Sequence, residues 1–113
     1  MSAVTDMDQI FYLASAFNQD LSKWDVSAVT NMAFMFSRAS TFNQDLSKWD
    51  VTAVIDMGSM FYGASAFKRR LCGVAWANSK ADKRDMFTDS PGLISSTVCK
   101  TARAGNGERE GYS

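Results

Sequence analysis

The chain of 113 residues contains no histidine, one proline and only two cysteines. Without histidine there is no imidazole to act as a general base near neutral pH, and two cysteines alone do not make a zinc site. There is no glycine-rich phosphate loop and no nucleophile motif, so the familiar signatures of catalysis are missing. Long hydrophobic runs are missing too. Stretches such as Met32 to Phe36 fall far short of the roughly 20 residues needed to cross a bilayer. The opening residues, Met-Ser-Ala-Val-Thr-Asp, lack the basic and apolar regions of a signal peptide, so no export signal is expected in this stretch.

What is present is globular in character. Hydrophobic residues make up 46% and charged residues 21%, which argues against disorder and against a membrane protein. Net charge is zero but unevenly placed. Residues 1–67 hold Lys23, Arg38 and Lys48 against seven aspartates, whereas residues 68–113 hold nine basic residues against five acidic ones. An acidic front and a basic back either favour head-to-tail contact between chains or reflect drift between repeats and cap. No concentrated basic face of the kind that binds nucleic acid is present, so no nucleic-acid partner is expected.

An internal repeat dominates the sequence. Phe17-Asn-Gln-Asp-Leu-Ser-Lys-Trp-Asp-Val26 recurs unchanged as Phe42 to Val51. The repeats run over 4–28 and 29–53, and a partial third over 54–71 keeps Met57, Phe61, Ala64, Phe67 and Leu71 in register. Such a period marks an architecture in which one unit cannot bury its own apolar faces and stacking does so. Leu21, Trp24, Val26 and Val29 have the apolar spacing of a leucine-rich repeat. Trp24 and Val26, alternating with Lys23, Asp25 and Ser27, predict a short strand with one buried face. Thr5 or Thr30 is expected to cap a short helix carrying the stripe Met32, Met35, Phe36 and Ala39. Phe42 then fills the turn, and Asn43-Gln44-Asp45 forms a polar corner. The expected fold is an α/β repeat: a short leucine-rich-repeat-like solenoid over 1–71, parallel strands on one face and short helices on the other.

After Leu71 the pattern changes. Trp76 stands two positions late in the register, and the polar stretch Lys80–Asp85 suits a C-terminal cap over 72–99. Cys72 and Cys99 are expected to pair and staple that cap, the alternative being two unrelated thiols; a disulfide would require an oxidising compartment. Residues 100–113 lack periodic apolar positions and are expected to form a disordered tail.

The run Phe-Asn-Gln-Asp-Leu-Ser-x-Trp-Asp-Val-Ser-x-Val-Thr-Asn-Met-x-x-Met-Phe, from Phe17 to Phe36, resembles the BspA-type leucine-rich-repeat surface proteins. The ending from Cys72 through Trp76 and Met86-Phe87 to Cys99 looks like the cap closing such arrays in some algal members. The resemblance implies surface exposure, with adhesion or protein binding, and supplies no catalytic site.

The expected role is therefore a non-catalytic protein-binding or adhesion-type module, with a structural accessory subunit as the alternative and no enzyme activity. The candidate interaction face is Lys23, Asp25 and Ser27, repeated as Lys48, Asp50 and Thr52; a merely solvated face is the competing reading. Asp20, Asp45, Asn18 and Asn43 make an oxygen-rich corner that could hold calcium. Arg70, expected to lie over Asp45, argues against it, so no metal or other cofactor is expected. No polar cap precedes Val4, so either further repeats, a protein partner or a neighbouring subunit is expected to cover the first coil, or it self-associates.

Overall fold

The computed structural model describes residues 4–99; the expected tail at 100–113 lies outside the described residues. Asp6, Asn31, Asp56 and Asp82 occupy equivalent places in four successive segments and are joined by parallel bridges, each to the next. Each opens its segment in the same way. One side-chain oxygen accepts the N–H two residues on, at 3.0 Å from Asp8, 3.0 Å from Ala33, 2.9 Å from Gly58 and 3.0 Å from Arg84. Aspartate and asparagine favour this local turn because their short side chains reach their own backbone.

From that point each segment is a chain of tight turns, with backbone groups used alternately along the layer and between layers. In the second layer the N–H groups of Met32, Phe34, Phe36 and Arg38 donate to the carbonyls of Asp56, Gly58, Met60 and Tyr62 at 2.7–3.0 Å. The intervening Met35, Ser37 and Ala39 N–H groups donate three residues back within the layer. The third residue of every other turn has positive φ: Gln9, Leu13, Phe34, Arg38, Ser59, Gly63, Asp85 and Asp89. That is the requirement of a type II turn, and only Gly63 meets it without a steric cost.

This corrects two expectations. No helix forms over the Thr30–Ala39 stripe, and Asn31 rather than Thr30 caps its start. The Trp24–Val26 stretch is no strand: it lies between turns in which Trp24 donates to the Leu21 carbonyl and Val29 to that of Val26. Turns win here because a helix keeps all its backbone hydrogen bonds to itself, whereas this arrangement sends half of them to the neighbouring layer. Among the described residues regular elements are few. They are β1 (Arg70–Leu71), α1 (Val74–Ala77) and β2 (Leu93–Ile94), with β1 and β2 parallel and Leu71 opposite Ile94.

The core is a set of columns running through the layers. Phe11, Phe36, Phe61 and Phe87 stack nearly parallel, 5.4–5.5 Å apart. Phe17, Phe42 and Phe67 form a second column at 5.9 and 6.1 Å, and the two columns meet at 4.1–4.2 Å within each layer. Met32, Met35, Met57 and Met60 are wholly buried beside them. The tryptophans join layers by a polar handle as well. The Trp49 indole N–H donates to the Leu21 carbonyl at 2.9 Å and that of Trp76 to the Leu46 carbonyl at 2.8 Å. Close packing reaches the backbone at Gly73, where an added Cβ would lie 1.9 Å from the Ser47 carbonyl oxygen. Only glycine fits there.

Candidate binding surface

All six residues of the expected interaction face are exposed. Their chemistry is partly committed to the turns. Asp25 accepts the Ser27 N–H at 3.0 Å and the Ser27 hydroxyl at 2.6 Å, and Asp50 accepts the same two groups from Thr52 at 3.1 and 2.5 Å. These hydroxyl and backbone donors lower the pKa of Asp25 and Asp50 below the ordinary aspartate value of 3.8. The Ser22 backbone N–H does the same for Asp20. Lys23 and Lys48 are thus the less committed groups of the face.

The corner considered for calcium is also used internally. The Asn18 side-chain oxygen accepts the Asn43 N–H at 2.8 Å, and the Asn43 oxygen accepts the Lys68 N–H at 3.0 Å. Asp20 and Asp45 each cap the turn two residues on. The expected Arg70–Asp45 pairing is replaced by a different contact. Arg69 donates to the Asn43 carbonyl at 3.1 and 3.3 Å, and the ion pair found among the described residues joins Arg84 to Asp82. Arg69 reaches the corner because asparagine carbonyls continue the ladder there, which side-chain charge alone did not reveal.

The two copies of the face differ in setting. Lys48, Asp50 and Thr52 line a groove of about 810 Å³ whose far wall is α1, and Lys23, Asp25 and Ser27 are not part of its lining. Ile55, Val74 and Lys80 are among the other residues that line it. Ile55 is 71% exposed and Val74 58% exposed, a large amount for aliphatic side chains bordering a concavity. These three residues were missed in the sequence. The signal was the two-residue slip that delays Trp76, since it replaces the third copy of the Lys-x-Asp face by α1. A smaller hollow of about 390 Å³ lies on the turn face among Gln9, Tyr12, Phe34, Arg38 and Tyr62, with the Arg38 guanidinium 5.2 Å from the Tyr62 ring centre.

Cys72 and Cys99 form a disulfide, with Cα atoms 4.8 Å apart. The Cys99 N–H also donates to the Cys72 carbonyl at 2.7 Å, and the Cys72 N–H to the Ser47 hydroxyl at 3.2 Å. The cross-link joins the two ends of the 72–99 segment and is compatible with an extracellular location. Among the described residues no cluster of three or more histidine, cysteine or carboxylate side chains could hold a metal ion, and no helix is long and apolar enough to cross a membrane.

The arrangement is that of repeated layers whose side chains offer grooves and ladders. The chain belongs to the family described as "Mycoplasma protein of unknown function, DUF285", which matches residues 1–97. It matches no curated protein and no solved structure.

Proposed function

We propose that this chain is a non-catalytic, protein-binding or adhesion-type module of the BspA-like leucine-rich-repeat kind, acting outside the cell or on its surface. The fold reading that goes with it is a short capped solenoid, in which stacked turns stand where helices were expected. The register of the Asp6, Asn31, Asp56 and Asp82 bridges supports that reading.

The groove between Lys48–Thr52 and α1 carries the functional proposal. Exposed Ile55 and Val74 offer apolar contact, while Lys48, Asp50 and Lys80 at its margin offer both signs of charge. That mixture suits an extended peptide segment, with aliphatic anchors setting affinity and the rim setting register. The surface location rests on the disulfide and the repeat motif.

The test is selection of a displayed random linear peptide library on the disulfide-bonded chain, with counter-selection on Val74→Asp. Peptides enriched on the parent chain and lost on the variant support the proposal. Enrichment that is indifferent to Val74→Asp and Ile55→Glu contradicts it, as does the absence of any enriched sequence.

A further inference from the structure

On the turn face the inter-layer ladder has a direction, and its two ends are complementary. There each layer donates N–H groups to the carbonyls of the layer that follows it, whereas just before that face Thr30, Ile55 and Asp82 donate back to the carbonyls of Thr5, Thr30 and Ile55. In the first layer Met7, Gln9, Phe11 and Leu13 donate to Asn31, Ala33, Met35 and Ser37 at 2.9–3.1 Å. In the third, Met57, Ser59, Phe61 and Gly63 donate to Asp82, Arg84, Met86 and Thr88 at 2.8–2.9 Å. At one end the carbonyls of Asp6, Asp8, Ile10 and Tyr12 accept no hydrogen bond among the described residues. At the other, the N–H groups of Lys83, Asp85, Phe87 and Asp89 have no acceptor among the described residues. Four acceptors thus face one way and four donors the other, at the same spacing.

We infer that a second copy of this chain stacks head to tail, its Lys83–Asp89 edge donating to the Asp6–Tyr12 edge of the first. Two further observations fit this occupant. The aromatic column ends in Phe11 at one face and Phe87 at the other, both partly exposed and both in register. Stacking would continue the column from Phe87 of one copy to Phe11 of the next. The ladder register also sets Arg84 of one copy beside Asp8 of the next, because these residues occupy equivalent places through Ala33 and Gly58. Lys83 stands where Met7, Met32 and Met57 stand in the other layers. Its ammonium already donates to the Ser79 and Ala81 carbonyls at 2.7 and 3.2 Å, so stacking leaves that charge hydrogen-bonded. The Trp24 indole N–H, which has no acceptor among the described residues, lies on the receiving face. A contact between two different faces leaves each added copy with a free end, so copies add in sequence and the assembly grows beyond a dimer, as an open stack or a ring.

Light scattering of the full chain with its disulfide intact, from low micromolar to millimolar concentration, tests this. The expected mass rises with concentration past twice the monomer value of 12.5 kDa. Asp8→Arg and Arg84→Glu should each weaken growth about tenfold by placing like charges together, with unchanged circular dichroism and, for Asp8→Arg, an unchanged melting temperature; Arg84→Glu also gives up the exposed ion pair to Asp82 and should melt slightly lower. Mixing the two variants should restore growth, because opposite charges meet again. A monomer mass at every concentration overturns the inference and leaves the first layer to another occupant, such as a preceding layer of the same chain or a different protein. A mass that stops at the dimer also overturns it, in favour of a two-fold contact, as does growth insensitive to both reversals.

Discussion

Trp24 and Trp49 sit in identical ten-residue sequences, so any difference between them comes from stacking. Trp49 is 2% exposed and its indole N–H donates to the Leu21 carbonyl across the layer boundary. Trp24 is 41% exposed and makes no such bond among the described residues. Replacing each by phenylalanine separates the two environments. Trp49→Phe removes that hydrogen bond while the Leu21 carbonyl keeps the Trp24 backbone N–H, so the loss costs about 0.5–1.5 kcal/mol. The smaller ring leaves a void that adds about 1 kcal/mol. The sum, about 1.5–2.5 kcal/mol, should lower the melting temperature by roughly 6–20 °C in a domain of this size. Trp24→Phe strands no acceptor and removes surface already in water, so its effect should stay within about 0.5 kcal/mol. Thermal unfolding followed by circular dichroism reads both. Equal destabilisation by the two substitutions would refute the reasoning, because local sequence would then outweigh position in the stack.

Leu13 is exposed and has φ of 61°, so Leu13→Gly should stabilise by up to about 1 kcal/mol, whereas Leu13→Val should destabilise; a lower melting temperature for the glycine variant would contradict this. Opening the Cys72–Cys99 bridge frees a 27-residue separation, and Cys72→Ala with Cys99→Ala should cost about 3.5 kcal/mol by the chain-entropy relation, read as a shifted denaturant midpoint. Because Asp20, Asp25 and Asp50 have pKa values lowered from 3.8, their contribution is present above that value and is lost as pH falls through the folded-state values. The triple variant to asparagine should therefore show a shallower loss of stability below about pH 4 than the parent, and an unchanged acid profile would count against these caps.

The period, the buried positions and the polar corner were legible in the sequence. Met32, Met35, Phe36, Ala39 and Phe42 are all fully buried, as their recurrence implied. The backbone that buries them was not legible. Spacings of three and four residues describe one face of a helix, but consecutive turns also return apolar side chains every four residues, with positive φ at Phe34 and again at Arg38. A glycine in that position would have signalled turns, and only the third copy carries one, at Gly63. The capping residue was misplaced for a related reason: Thr30 is a sound helix cap, but Asn31 heads a column with Asp6, Asp56 and Asp82 that only comparison across the copies reveals. At the candidate surface, Lys48, Asp50 and Thr52 could be read from the repeat. The opposite wall, with Val74, depends on where the register slips, and that break carries no periodic signal.

The most direct measurement of the layered ladder is scalar coupling across hydrogen bonds in the isotope-labelled protein. Coupling is expected from the Met32 nitrogen to the Asp56 carbonyl carbon, from Phe34 to Gly58, and from Phe36 to Met60. Coupling of Phe36 instead to the carbonyl of Met32, four residues earlier as a helix requires, would contradict the account.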